Sequence, residues 1–384
     1  MSSCTSRNVF WSILVILFLL GPYGVHGQEP AAKIEKQTLV EALEAVRQEF
    51  NLPALTGAIV TRDGLDAIVS VGVRKIGTET KVTDDDLWHL GSCTKAMTAT
   101  LIGTLVDEGK LTWDTRLAEV APPEIVEKMD EEFQKITITH LLTHRSGLPA
   151  NAAWHALGND QSLTAQREEL LRRMVSKPLK HPVGGEFLYS NVGYALAGWM
   201  AEKVTNTPWE QLMKERLFVP LEMNGAGFGI PGTLEKDDQP WGHHKSLMGL
   251  GPLVAVQADN APSLGPAGTV HASMADWAKF IAAHLTPEHS LVSPEVWSRL
   301  HSAPQGTDYA LGWGVQQRSW AGSEAAKSGI ALSHSGSNTV NYCVCWLAPE
   351  RGFAVLIATN TGQANAGQAV DKVAGILIEH HLGR

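Results

Sequence analysis

The sequence predicts an α+β fold: an antiparallel sheet flanked by the N- and C-terminal helices, with an all-helical lobe inserted. Three observations predict it. Strand-forming runs gather at the two ends of the chain, helical patterns fill the middle from about residue 114 to 255, and an amphipathic helix stands at each end.

The elements follow in order. Residues 37–50 place Leu39, Leu43, Val46 and Phe50 at helical spacing and stop before Asn51 and Pro53. The stretch "GAIVTRDGLDAIVSVG" reads as a hairpin about Asp63-Gly64, a dipeptide suited to a type I′ turn. Next, "GSCTKAMTATLIGTLVDEGK" sets Met97, Leu101, Leu105 and Val106 on one apolar stripe, with Gly109 as C-cap. In the middle, "APPE", "HRSGLPAN", "KPLKHPVGGE" and "VPLEMNGAGFGIPG" separate helical segments, and "EKMDEEFQK" (127–135) reads as a solvated helix face. A helix begins within "GTVHASMADWAKFIAAHL", with Ser273 as N-cap and Asp276 three residues on. Strands return at "YALGWGVQ", around 331–336, and at "VNYCVCWLA" and "FAVLIATN", the last two closing a hairpin on "PERG". A helix over 366–380 turns Val370, Val373 and Leu377 inward.

Residues 1–27 form a separate unit. One charge, Arg7, precedes an apolar run from Val9 to Leu20, and small residues follow, with Val25 and Gly27 where a signal peptidase would cut. The expectation is an exported protein with a mature start near Gln28 and no stable membrane anchor, since no later segment reaches the ~20 apolar residues a span needs. Residues 28–384 are read as one body of two lobes, an α/β lobe (about 33–113 and 256–384) and a helical lobe (about 114–255). Removing the leader moves the formal charge from −9 to −10. That balance disfavours nucleic acid and anionic lipid as partners, because both require clustered basic residues. Cys93, Cys343 and Cys345 remain; an odd number without a spaced framework argues against a disulfide scaffold. No Cys or His grouping has zinc spacing, so no metal or other cofactor is expected, and the "HH" pairs at 243–244 and 380–381 read as surface loop and helix end.

Chemistry enters with Ser92 and Lys95, three residues apart where the helix begins. Ser92 as a helix cap is one reading. The other makes it a nucleophile, with the lysine on the same face as its base. Burial and the positive helix N-terminus both favour a neutral, basic amine there. Tyr189 and Asn191, in "GEFLYSNVGYAL", are either a helix entry capped by Ser190 or Asn191, or a proton carrier and a donor to a substrate carbonyl. His334, Ser335 and Gly336 end a strand where glycine lets substrate backbone approach. Ser-x-x-Lys and Tyr-x-Asn each occur once in the chain. The remaining candidates have plainer readings: Cys93 as a small buried filler, His89, His144 and His271 as structural, Trp241 as cleft wall or rim packing. No serine has glycine at both −2 and +2, which argues against an α/β-hydrolase.

In this order and spacing the chain resembles the serine β-lactamase/penicillin-binding-protein superfamily, in its class C-like branch (peptidase family S12) of D-aminopeptidases, D,D-peptidases and EstB-type esterases. "ITHLLTHRSGLP", "GPAGTVHASMADWAKF" and "YALGWGV" extend the resemblance over nearly all of the chain after the leader. It implies Ser92 as the acylated nucleophile, Lys95 and Tyr189 as the proton-transfer pair, and Asn191, His334, Ser335, Gly336 and Ser337 as substrate-binding. It also implies an oxyanion hole from the Ser92 and Ser337 amides. Many relatives carry lysine where this chain has His334, and a neutral imidazole offers no fixed charge to a substrate carboxylate. The expected activity is therefore acyl transfer from small esters, amides or D-amino-acid peptides. A true β-lactamase or D,D-carboxypeptidase, and a non-catalytic cell-wall-peptide binder, are the alternatives.

Overall fold

β-branched and apolar runs near both ends of the chain form one sheet. Strands β1 (Ala54–Thr61) and β2 (Gly64–Gly72) come first, followed by the short β3 (Leu87–His89). The middle of the chain contributes β4 (Gly227–Phe228), β5 (Gly242–Lys245), β6 (Leu253–Val256) and β7 (Val270–Ser273). The C-terminal third adds β8 (Gly314–Arg318), β9 (Gly329–Ser337), β10 (Tyr342–Ala348) and β11 (Phe353–Thr359). The main sheet runs β2-β1-β11-β10-β9-β8, every pair antiparallel. Pairing of β1 with β11 joins the two ends of the chain at the sheet centre. This computed structural model describes residues 36–383 apart from 159–160, 247–250, 287 and 324–327. The expected leader, 1–27, lies outside the described residues.

Both terminal helices, Lys36–Glu49 and Ala366–His381, pack on one face of the sheet, burying Leu39, Leu43 and Val46 against Val370, Val373 and Leu377. The opposite face meets the larger core, with the helices Thr94–Asp107, Asn191–Thr205 and Met274–Leu285. Among the described residues, no helix is long and apolar enough to cross a membrane.

Five local expectations are corrected. The first hairpin turns through Arg62–Asp63, with Thr61 facing Gly64; only Gly64 has positive φ (109°), whereas a type I′ turn needs it at both central residues. The helix Thr94–Asp107 is buried around its whole girth from Thr94 to Leu105, not along a stripe. Its threonines look polar in sequence but bond carbonyls, Thr98 to Pro266 (2.7 Å) and Thr100 to Ala96 (2.9 Å), so their burial costs little. The segment 127–135 is not a helix face: Asp130 Oδ1 accepts the Phe133 N–H, making a side-chain turn that buries Met129 and Phe133. The inserted lobe is not wholly helical, because β4 joins β7 and the hairpin β5–β6 leans on the loop after β11. Within that hairpin His243 is buried, Nδ1 at 2.7 Å from the Asn360 carbonyl and Nε2 accepting the Ile76 N–H; His244 is exposed, as expected.

Candidate active site

Ser92 sits in a tight 3-10 turn, Gly91–Cys93, that leads into the helix Thr94–Asp107. The helix has no side-chain cap, so the capping reading of Ser92 does not hold. Gly91 takes φ 47°, and a Cβ on it would stand 2.3 Å from the Ser337 amide nitrogen. A Cβ on Gly336 would stand 2.0 Å from the Leu90 carbonyl oxygen. The turn and the end of β9 thus touch backbone to backbone, which only glycine permits. Through that contact the amides of Ser92 and Ser337 become neighbours, although far apart in sequence.

Lys95 is fully buried, while Ser92 remains partly open to solvent. Lys95 Nζ lies 3.0 Å from Ser92 Oγ, 2.7 Å from Asn191 Oδ1 and 2.6 Å from the Ala267 carbonyl oxygen. Three oxygens suit an ammonium with three donors. They equally suit a neutral amine that donates twice and turns its lone pair to the serine hydroxyl. Burial holds Lys95 well below the ordinary lysine range, which favours the neutral amine. Burial pushes the Tyr189 phenol above the ordinary value, the Ser92 side chain pulling weakly the other way, so it keeps its proton. Its ring centroid is 4.8 Å from Lys95 Nζ.

The Tyr189 loop is set by two residues. Ser190 caps the helix Asn191–Thr205, accepting the Gly193 N–H and donating to the Pro149 carbonyl. His144, at φ 59°, accepts the Ser190 N–H on Nδ1 and the Leu188 N–H on its carbonyl, and its ring lies 4.3 Å from that of Tyr189. Its structural reading therefore holds. Asn191 Nδ2 donates to Asn151 Oδ1 (2.8 Å), so Asn191 bridges Lys95 and the "LPAN" loop.

The third motif, His334-Ser335-Gly336 after Ser92/Lys95 and Tyr189/Asn191, divides across the sheet. His334 and Gly336 face the nucleophile turn, together with Cys343 and Cys345. The Ser335 side chain is on the other face, lining a groove with Tyr342, Trp346 and Asp371, so it gives the site backbone only. Ser337 Oγ is bound to the Asn341 carbonyl, leaving its amide as the group near the turn. His334 is buried: Nδ1 is 2.7 Å from the Ser335 carbonyl, which requires the hydrogen there, and Nε2 accepts from the Tyr309 hydroxyl at 3.0 Å. Both nitrogens are hydrogen-bonded within the protein. Burial, the largest cause, pulls its pKa from 6.5 to about 3.

Other candidates resolve plainly. Cys93, Cys343 and Cys345 are free and buried; Cys93 Sγ lies 3.6 Å from Cys343 Sγ, and burial pushes the Cys93 thiol well up. Trp241 packs under Lys75 and donates to the Lys236 carbonyl. Among the described residues no group of side chains is arranged to hold a metal ion. Sequence reasoning missed Asn151, Tyr309 and the Ala267 carbonyl. Tyr309 lay in a segment read only as a strand, and a main-chain acceptor has no sequence signal.

The beta-lactamase family model matches residues 42–379. The chain is 28% identical to penicillin-binding protein 4 of Amycolatopsis lactamdurans, over 85% of this chain and 85% of that protein. It is 26% identical to the unguisins hydrolase ungD' of Aspergillus campestris (strain IBT 28561), over 90% of this chain but only 64% of that protein's length. Among solved structures, the octameric penicillin-binding protein homologue from Pyrococcus abyssi superposes with TM-score 0.72 at 22% identity, covering 91% of this chain and 78% of the other. SurE with D-Leu gives 0.69 at 20% identity, covering 91% and 76%. These two likenesses concern the fold alone. The family match spans almost the entire described chain, and the protein belongs to the beta-lactamase family.

Proposed function

We propose that this protein is a serine hydrolase that forms an acyl-enzyme on Ser92 and cleaves small esters, amides or D-amino-acid peptides. The observation that carries the reading is the fully buried Lys95 amine 3.0 Å from Ser92 Oγ. In the neutral state it takes the Ser92 proton as the hydroxyl attacks the acyl carbon. Tyr189, held as a phenol, passes its proton to the departing group and is reprotonated from Lys95. The Ser92 and Ser337 amides receive the developing oxyanion. Water then repeats the sequence to release the acid. Relatives described as a hydrolase and as a penicillin-binding protein support hydrolytic chemistry. A neutral, internally bound His334 favours uncharged acyl substrates over carboxylated β-lactams. Export rests on the leader-like residues 1–27, and a small-molecule or short-peptide substrate, cell-wall fragments included, fits the acidic chain better than nucleic acid does.

A fluorophosphonate probe tests the assignment: wild type takes one label, mapped by peptide mass to the Ser92 peptide, and Ser92→Ala takes none while keeping its circular dichroism spectrum. Labelling at another serine, or esterase turnover by Ser92→Ala, overturns it.

A further inference from the structure

Behind the nucleophile turn, two residues outside the Ser92–Lys95–Tyr189 centre meet. His89 ends β3, two positions before Gly91, and is buried; the Asp259 side chain, on the loop leading to Ala267, is 9% exposed. His89 Nε2 lies 2.6 Å from Asp259 Oδ1, and His89 Nδ1 accepts the Gly91 backbone N–H at 3.1 Å. A nitrogen that accepts carries no hydrogen, so the imidazole proton sits on Nε2, close to the carboxylate oxygen but not aligned with it as a hydrogen bond, and the pair is held by proximity.

The same carboxylate oxygen reaches the other side of the site. Asp259 Oδ1 is 3.4 Å from Asn338 Nδ2, which also donates to the Ala258 carbonyl at 3.2 Å. Asn338 directly follows Ser337, and Gly91 directly precedes Ser92. One carboxylate therefore touches, through a single side chain each way, both backbone segments that bear the oxyanion amides. Its neighbour Asn260 donates to the Gly268 carbonyl at 2.8 Å, beside the Ala267 carbonyl that holds Lys95. His271 is a titratable group facing the pair; burial lowers it, and its Nδ1 lies 3.0 Å from the Gly229 carbonyl. Asp259 Oδ2 is buried without a hydrogen-bond partner among the described residues, a costly arrangement for packing alone.

We propose that Asp259 and His89 are positioning residues that brace the two halves of the oxyanion hole, fixing the Ser92 amide through His89 and Gly91 and the Ser337 amide through Asn338. The proposal rests on the acyl-enzyme reading of Ser92. Losing the brace leaves the turn and β9 tied by the weak thiol contacts of Cys93 to His334 and of Cys343 to Leu90, and a displaced oxyanion donor lowers turnover without removing substrate binding.

The test is steady-state hydrolysis of p-nitrophenyl acetate by Asp259→Ala, Asp259→Asn, His89→Gln and the Asp259→Ala/His89→Gln double variant. Rates are normalised to sites titrated with the fluorophosphonate, and melting is recorded alongside. Asp259→Ala and His89→Gln each lower kcat by about tenfold to a hundredfold, with KM changed by less than about threefold. Asp259→Asn, which keeps the shape and an acceptor, falls between Asp259→Ala and wild type. The double variant is within about twofold of the worse single variant, because both residues act through one brace. If Asp259→Ala does not fold, the near-isosteric Asp259→Asn carries the test. A normalised kcat within about twofold of wild type for Asp259→Asn and His89→Gln, or fully additive losses, overturns the brace. Wild-type protein that takes no label at Ser92 overturns the acyl-enzyme reading instead, so the two failures are told apart.

Discussion

His334 shows how one side chain's bonding can set substrate choice. Its Nδ1 hydrogen goes to the Ser335 carbonyl and its Nε2 lone pair to the Tyr309 hydroxyl, while burial keeps it uncharged well below neutral pH. A carboxylate arriving at the third motif finds neither a charge nor a free donor. A charge-assisted hydrogen bond contributes ~1.5–3 kcal/mol, so its absence lowers efficiency roughly tenfold to more than a hundredfold. Wild-type enzyme is therefore expected to hydrolyse p-nitrophenyl acetate measurably and nitrocefin weakly or not at all. His334→Lys is expected to raise the nitrocefin-to-ester ratio of kcat/KM by about tenfold or more. Faster turnover of nitrocefin than of simple esters by the wild type would reverse the substrate assignment.

At the scale of elements, the site depends on how closely β9 approaches the Gly91–Cys93 turn. The contact is between two backbones, so neither side can yield by changing a rotamer. Gly336→Ala places a methyl 2.0 Å from the Leu90 oxygen and 3.0 Å from Cys343 Sγ, forcing the strand and turn apart. The expected result is a loss of esterase kcat of at least about tenfold, with destabilisation of about 1–3 kcal/mol from overpacking. Gly375→Ala is the contrasting change. It lies in the helix Ala366–His381 with open space around it, so activity stays level and stability rises by about 0.5–1 kcal/mol. Urea midpoints and ester kinetics on the pair check both statements; an unimpaired Gly336→Ala enzyme would show that the close approach is dispensable.

Across the whole molecule, several imidazoles are buried uncharged. His334 is held at about 3 and His301 at about 4, and burial keeps His144 and His284 well below 6.5. Each has a folded pKa below its unfolded one. Protonation therefore favours the unfolded chain: the stability is fully present above pH 6.5 and is lost as pH falls toward the folded values. Each such group adds a slope of up to ~1.4 kcal/mol per pH unit inside that window. Urea unfolding between pH 7 and pH 4 is expected to show a steep acid loss. His334→Gln flattens it by about 1.4 kcal/mol per pH unit between roughly pH 5.5 and 4. An unchanged slope in that variant would mean that His334 takes up its proton in the folded state.

The sequence by itself determined the fold class, the terminal helices, the second hairpin and the order of the three motifs. Each of these depends on local periodicity, turn residues or spacing, which neighbours along the chain encode. Ser92 with Lys95, and Ser190 capping the helix after Tyr189, were legible for the same reason: a few residues on one helix turn fix their own relative positions. What only the tertiary structure decided was everything that depends on distant segments meeting. The lowered pKa of Lys95 comes from burial, and the Asn191 and Ala267 oxygens fix where its amine points. The internal bonding of His334 comes from Tyr309, and the far-face placement of the Ser335 side chain comes from the pleat of β9 in the sheet. The threonines of the helix Thr94–Asp107 mark the limit most plainly. The sequence predicts only an apolar stripe on this helix; in the core the carbonyls of Pro266 and Ala96 satisfy the Thr98 and Thr100 hydroxyls. Composition records that a group is polar; only the folded chain supplies the partner that lets it be buried.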